Sequence, residues 1–253
     1  MSGAVFIGTS GWSYTGWKDS FYAGIPRKDW LAYCAGNFTG IEVNTTFYGL
    51  QKRSVFERWR VQTPPDFRFA VKGNRSLTHN KKLLAPASML LRHKERVGGL
   101  GDKLAAMLWQ VPANQEKNLD RLAEFVRHLS RWTETRHVME FRHLSWFDQE
   151  VASLLTSHRV AVCLSHAAAW PLWDCLTTDF AYLRLHGYPR TYASSYGPAE
   201  LAGWAKRIRQ WRREGCQVHV YFNNDAEGAA PYDALRLLEL CRQQPMADNM
   251  ELL

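Results

Sequence analysis

Eight short apolar segments recur along the 253-residue chain, and stretches with helical apolar spacing separate most of them. That alternation constrains the fold more than any motif does. The segments fall at residues 5–8, 41–45, 67–72, 104–110, 137–142, 160–165, 180–186 and 217–223. Between them, Leu119, Leu122, Phe125, Val126 and Leu129 recur at the three- and four-residue steps of one helix face, as do Leu201, Trp204, Ile208 and Trp211. Leu235, Leu238 and Cys241 mark the last helix. Thr63-Pro64-Pro65 stops the helix ahead of the third segment, and Gly215 stops the one ahead of the eighth. Strands that alternate with helices pair in parallel through right-handed crossovers. Eight such units in about 250 residues predict an α/β fold, a single (β/α)8 TIM barrel spanning residues 1–253 as one domain. One connection is irregular: residues 167–178, between the sixth and seventh strands, include Pro171 and are too few for a full helix. The rival, an open doubly wound sheet, usually carries a Gly-rich phosphate loop after its first strand. Here that loop reads Gly8-Thr9-Ser10-Gly11-Trp12-Ser13-Tyr14 and lacks the spacing.

No apolar run approaches the roughly 20 residues of a bilayer span. Residues 1–8 are too short and too uncharged to read as a secretory leader. The five cysteines (Cys34, Cys163, Cys175, Cys216, Cys241) form no CxxC pair. They read as small buried hydrophobes of a reducing compartment, so a cytoplasmic location is expected.

In a barrel, alternate strand residues point inward and function gathers at the C-terminal strand ends. Turning the bulky apolar residues toward the outer helices leaves Glu42, Asn44 and Thr46 facing in from the second strand, and Arg68, Ala70 and Lys72 from the third. The fifth contributes Glu140 and Arg142, the seventh Tyr182, Arg184 and His186, the eighth His219, Tyr221 and Asn223. Gln110, His143, Asn224 and Asp225 extend this set at the rim. Barrel interiors are normally filled by Val, Ile and Leu. Charged groups there must be paired or hydrogen-bonded, because leaving them unpaired costs several kcal/mol each. One account is therefore a plug of salt bridges, Glu42 with Lys72 and Glu140 with Arg142. The other is a polar site assembled from four strands.

Residue chemistry assigns roles in that site. Arg142, Arg184 and Lys72 offer positive charge to a carboxylate or phosphate. Glu42 and Glu140 are the candidate acid/base groups, with His186 as the inward group that titrates near neutral pH. Lys72, crowded by arginines, is expected to have a lowered pKa and to serve as a base or a Schiff-base nucleophile. Asn44, Gln110, His143, Asn223, Asn224 and Asp225 would orient the ligand. A divalent metal on Glu42, Glu140, His186 or Asp225 is chemically reasonable, but no local spacing encodes one.

The residues just named fall in a series of ordered motifs. They begin with Gly8-Thr9-Ser10-Gly11-Trp12-Ser13-Tyr14 and Trp17, Phe21-Tyr22, and Glu42-Val43-Asn44-Thr45-Thr46-Phe47-Tyr48. Trp59, Thr63-Pro64, Phe67-Arg68-Phe69, Lys72, Thr78-His79 and Leu108-Trp109-Gln110 follow. The later half adds Glu140-Phe141-Arg142-His143, Ser145-Trp146, Tyr182, Arg184, His186-Gly187, Phe222-Asn223-Asn224-Asp225 and Gly228-Ala229. Over nearly its whole length the chain resembles the YecE-like family, the domain of unknown function numbered seventy-two. The resemblance implies a TIM barrel and implies no particular reaction. The chain departs from the family pattern in two places. It has Ser165-His166 where an acidic residue is expected after the sixth strand, which weakens a metal or acid role there. It has Asp233-Ala234 where an Asn-Ala pair is usual, read here as a surface difference.

Trp12, Tyr14, Trp17 and Tyr22 crowd the first βα loop, where they would stack on a planar ligand or pack the loop. Trp30, Trp59, Trp204 and Trp211 lie at helical spacing and read as core. Lys206-Arg207-Ile208-Arg209-Gln210-Trp211-Arg212-Arg213 and the net charge of +8 invite a nucleic-acid reading. Helical geometry instead makes the run a solvated face, and no DNA- or RNA-binding motif accompanies it. A serine hydrolase is excluded by the missing GxSxG elbow, and a neutral-sugar glycosidase is disfavoured by the surrounding cations. The leading expectation is an enzyme acting on a small anionic metabolite, phosphorylated or not, by acid/base or metal-assisted chemistry. The alternatives are a non-catalytic small-ligand module and a phosphodiester enzyme acting on nucleic acid. Oligomeric state is not encoded in any pattern.

Overall fold

The computed structural model describes residues 3–243; the chain ends included in the expected 1–253 domain lie outside the described residues. Eight parallel strands are present: β1 (Val5–Thr9), β2 (Gly40–Val43), β3 (Arg68–Lys72), β4 (Leu104–Gln110), β5 (Arg136–Glu140), β6 (Val160–His166), β7 (Phe180–Leu185) and β8 (Gln217–Phe222). They are hydrogen-bonded in the order β1-β8-β7-β6-β5-β4-β3-β2. The sheet thus runs once around a TIM-like barrel and leaves one seam, between β1 and β2.

Isolated hydrogen bonds nearly close that seam. Ile7 N donates to Thr39 Oγ1 at 2.8 Å, Thr39 N donates to Ile7 O at 3.1 Å, and Ser10 and Glu42 form an isolated parallel bridge. The backbones approach so closely that a Cβ on Gly8 would sit 1.9 Å from the Gly40 carbonyl oxygen. Only glycine fits there. Gly8→Ala should therefore destabilise the barrel by about 1–3 kcal/mol, the usual cost of forcing extra volume into a packed region. A urea titration would show this as a lower midpoint with an unchanged slope; an unchanged midpoint would mean that the seam yields freely.

The helices are α1 (Trp30–Asn37), α2 (Thr45–Tyr48), α3 (Arg53–Val61), α4 (Ala87–Val97), α5 (Leu119–Leu129), α6 (Gln149–Ser157), α7 (Pro198–Arg213) and α8 (Ala230–Arg242). The apolar stripes fall where their spacing puts them, with Leu122, Phe125, Val126 and Leu129 buried on α5 and Leu201, Trp204, Ile208 and Trp211 buried on α7. On α8 the buried face runs through Leu237, Leu238 and Cys241, and Leu235 is only partly covered. Asn118 Oδ1 caps α5 by accepting from Arg121 N at 3.0 Å. Residues 167–179 hold no helix, only a bridge between Ala167 and Trp170, which is the irregular connection expected there.

Several strands end earlier than the apolar pattern predicts. The last ladder partners are Gln110 with Glu140 and Leu185 with Phe222. Arg142, His186 and Asn223 consequently stand in loops just past the strand ends. β2 stops at Val43, and Asn44 already has helical angles (φ −96°, ψ −21°). The turn α2 is pinned to the neighbouring strand by Thr46 Oγ1, which donates to Lys72 O at 2.6 Å.

The barrel interior is layered. At the bottom His219 packs between Phe6 and Phe180, with ring centroids 4.7 and 4.8 Å apart. Burial pushes the His219 imidazole down to about 3, so it is a neutral plug. Above it lie Ala70, Leu108, Val138, Cys163, Tyr182 and Tyr221. The polar layer follows at the C-terminal ends.

Candidate functional site

A cleft of about 890 Å³ opens at the mouth of the barrel. Nine of the sequence-derived candidates line it: Trp12, Tyr14, Asn44, Lys72, Gln110, Arg142, Arg184, Asn223 and Asp225. Glu42, Glu140, His143, His186 and Asn224 do not. A charged layer accounts for part of the division: Glu42 and Glu140 are locked in its buried half beneath the floor, and Lys72 stands in the half open above it.

The locked half is an ion network centred on Arg184, which is 1% exposed. Arg184 Nη2 donates to Glu42 Oε1 at 2.8 Å, and Nε lies 3.1 Å from both Glu42 oxygens. Its Nη1 donates to Glu140 Oε2 at 2.8 Å. Glu42 accepts two further bonds at 2.6 Å, from Ser10 Oγ and from the Tyr182 hydroxyl. Glu140 Oε1 accepts from Arg142 Nε at 2.9 Å and Ser165 Oγ at 3.1 Å. Both carboxylates are fully buried. Burial alone would raise the Glu140 carboxyl, yet Arg184 and then Arg142 hold it well below the usual range. The Glu140–Arg142 pair expected from the sequence is present, whereas Glu42 pairs with Arg184 instead of Lys72. The reason is geometric: a planar guanidinium can serve two carboxylates along two edges, and a lysine cannot.

Lys72 is left with no ion pair among the described residues. Its Nζ lies 4.1 Å from the centroid of the Phe47 ring, a cation–π distance. Burial, and next the charge of Arg184, push its amine down to about 7. Across the cleft, burial raises the Asp225 carboxyl, which lies beside Tyr14; the Tyr14 hydroxyl donates to Ser10 O. Two titratable groups of opposite kind thus face one cleft with their affinities for protons shifted toward neutrality.

The remaining candidates are structural in their contacts. His186 is fully buried; its Nδ1 is 3.0 Å from Asn223 Nδ2, and its Nε2 has no partner. Burial and then Arg184 hold it well below the usual histidine range. The expectation that it titrates near neutral pH is thereby corrected. His143 Nδ1 caps a helical turn through Ser145 N at 3.2 Å. Asn224 Nδ2 donates to Ser194 O at 2.9 Å and to Asp233 Oδ2 at 2.8 Å. Asp233 is not a surface residue: it is fully buried and also accepts from Ser195 Oγ at 2.6 Å and Tyr196 N at 2.9 Å. It ties the loop after β7 to α8.

The aromatic loop divides. Trp17 and Tyr22 are buried in packing, and Trp12 and Tyr14 reach the cleft. Trp59, read from its spacing as core, lines the cleft edge-on to Trp12 at 5.0 Å. Phe47, Tyr48, Gln51, His79 and Tyr192 also line it. Phe47 and Tyr48 carry no strand or helix periodicity, and Tyr192 sits in a loop whose sequence gives no signal. Among the described residues no three His, Cys, Asp or Glu side chains come together as a metal-ligand set. On α7 the basic run is partly engaged: Arg209 Nη1 and Arg212 Nε each donate at 2.8 Å, to Leu240 O and Gly3 O, and Arg207 pairs with Asp174.

The family model described as "Protein of unknown function DUF72" matches residues 6–251. The chain belongs to the DUF72 family. It is 25% identical to the UPF0759 protein YunF of Bacillus subtilis, over 93% of this chain and 94% of that one. It is 31% identical to the UPF0759 protein YecE of Escherichia coli K12 over 144 residues, 56% of this chain and half of that relative's length. Among solved structures, a DUF72 family protein from Thermotoga maritima superposes with a TM-score of 0.85 at 26% identity, covering 95% of this chain and all of that one. A DUF72 protein from Enterococcus faecalis gives 0.82 at 17% identity, covering 95% and 96%, and supports the fold alone. The same DUF72 barrel is therefore found in bacterial relatives. No helix among the described residues is long and apolar enough to cross a membrane.

Proposed function

We propose that this DUF72 protein is an enzyme that binds a small anionic metabolite in the cleft and acts on it by acid/base chemistry, with Lys72 as base and Asp225 as its proton-exchanging partner. The observation that carries this is the state of Lys72. Its amine lines the cleft, has no carboxylate partner among the described residues, and is pushed down to about 7, where a general base works best at neutral pH. Glu42 and Glu140 act as positioning residues, because every one of their oxygens already accepts from a neighbour.

The charge balance narrows the ligand. Glu42 and Glu140 cancel Arg184 and Arg142 within the locked layer, so the cleft presents no broad positive field. What remains open is one edge of Arg142: its Nε bonds Glu140, its Nη1 lies 3.1 Å from the Tyr192 hydroxyl, and Nη2 is unpaired among the described residues. A single carboxylate or phosphate suits that edge, oriented by the amides of Asn44, Gln110 and Asn223, while Trp12, Tyr48 and Trp59 give it apolar walls. We take the protein to be one cytoplasmic domain, a placement supported by its five free thiols.

Thermal shifts against a panel of organic acids, sugar phosphates, divalent metals and short oligonucleotides test this. A ligand at 100 times its dissociation constant adds about 2.7 kcal/mol of stability. We expect a small-anion hit that disappears in Arg142→Ala, followed by turnover of the hit or a close analogue. Tight binding without any product would favour a non-catalytic module. A shift given only by oligonucleotides, and lost at high salt, would move the function to nucleic acid.

A further inference from the structure

We infer that Lys72 forms a covalent imine with its substrate, which is a small aldehyde, ketone or 2-oxo acid carrying one anionic group. This deepens the preceding reading and rests on it: the same cleft and the same Arg142 edge hold the anion.

Three observations point to a nucleophile rather than only a base. The carboxylates nearest Lys72 are committed to Arg184, so nothing in the floor draws the amine into an ion pair. The amine also lies over the Phe47 ring and not against a carboxylate, which holds it in the cleft, where an organic substrate can reach it. Finally, one proton donor and acceptor stands near it and a second lines the same cleft. His79 packs edge-on to the same Phe47 ring at 4.9 Å, and its Nδ1 is 2.9 Å from Thr78 Oγ1. Asp225 lines the cleft as well. The groups whose charges act on Lys72 are Arg184 on β7, Glu140 on β5, Glu42 on β2 and Arg142 just past β5. His79 is in turn lowered by burial and by Lys72, so it is a neutral imidazole able to relay protons.

The chemistry balances without a redox partner. Neutral Nζ attacks the carbonyl carbon, a C–N bond forms, and the carbonyl π pair passes to oxygen, which takes a proton. The nitrogen releases a proton to His79 or to the Asp225 carboxylate, giving a carbinolamine. Protonation of its hydroxyl by the same groups lets the C–O bond break and water depart. The nitrogen lone pair closes the C=N bond, and the resulting iminium returns that proton to the group that supplied it. The net products are the imine and one water.

Reductive trapping on the intact protein decides the matter. Pyruvate and dihydroxyacetone phosphate are incubated separately with the protein and cyanoborohydride, and adducts are read by intact mass and peptide mapping. The expected result is a single adduct on Lys72 with at least one probe, its mass increment that of the probe less one oxygen atom. The probe that reacts separates a carboxylate ligand from a phosphate one. The labelling rate should rise with pH through about 7, whereas surface lysines gain reactivity only toward about 10. Lys72→Met should lose the adduct while keeping the melting transition. Adducts scattered over surface lysines, with Lys72 unlabelled, would overturn the inference. A probe that raises the melting temperature through Arg142 yet leaves Lys72 unlabelled also overturns the imine, and leaves the acid/base reading standing. If neither probe shifts melting or labels Lys72, both fall.

Discussion

Arg184→Ala is expected to lose about 3–5 kcal/mol of folding stability, the usual consequence of removing one partner from a buried ion network. That is a large part of the roughly 5–15 kcal/mol available to a folded domain. The loss comes from what is left behind. Glu42 would keep only the hydroxyls of Ser10 and Tyr182, and Glu140 would keep Arg142 and Ser165, all inside a closed barrel. Arg184→Lys should be nearly as harmful, since an ammonium cannot present two edges to two carboxylates. The pH dependence of the defect follows from Glu140. In the wild type its carboxyl is held well below the usual range, so its contribution is present above the ordinary carboxylate pKa and is lost as pH falls through the folded value. In Arg184→Ala that contribution shrinks, and the gap between variant and wild type should narrow as the pH is lowered below about 4. Urea melts at several pH values measure this. A variant that melts within about 1 kcal/mol of wild type at neutral pH would show that the network does not hold the barrel together.

The same network explains which parts of the site were legible in the sequence. Strand number and inward parity were, because a period of two repeated eight times admits few folds. The strand ends were not: polar and apolar residues go on alternating through Asn44-Thr45, Phe141-Arg142 and His186 after the ladder partners have run out. Inward charges could be named one by one, and the pair within one strand end, Glu140 with Arg142, could be read, but the partners across the barrel could not. Whether Glu42 meets Lys72 beside it or Arg184 across the barrel depends on the closed diameter, which no local pattern carries. Residue type alone made Glu42 and Glu140 candidates for proton transfer, and only the closed barrel shows their oxygens occupied by Arg184, Arg142 and neighbouring hydroxyls. Asp233 was misplaced for a similar reason. An aspartate in an amphipathic helix reads as surface until a distant loop brings Ser195 and Tyr196 onto it. Tyr192 and Phe47 reached the cleft through loop and turn conformations that no periodicity marks.

Lys72→Met should be more stable than the wild type and inactive, a combination that a structural lysine would not give. The native amine is pushed down to about 7, whereas in the unfolded chain a lysine titrates near 10.4. Below about pH 7 both states hold the proton, and the native state bears the burden of a half-buried ammonium beside Arg184. Between about pH 7 and 10 the unfolded chain binds one more proton than the folded one, so this group makes stability rise with pH by up to about 1.4 kcal/mol per unit. Methionine removes the burden and keeps a flexible stem against Phe47, where a thioether packs well on an aromatic ring. We expect a gain of about 1–3 kcal/mol near pH 7, well under the full shift because the amine lines a cleft open to solvent. The gain should fade as pH rises from about 7 toward about 10, where the unfolded lysine also gives up its proton and folding no longer costs one. Subtracting one melt from the other at each pH cancels the buried tyrosines and thiols, which titrate equally in both proteins. Activity on any substrate found by thermal shift should fall about 10²–10⁴-fold, the usual share of a general base. A Lys72→Met protein less stable than the wild type, with no pH dependence in the difference, would make Lys72 a packing residue. The reactive group of the cleft would then have to be sought at Asp225 and His79.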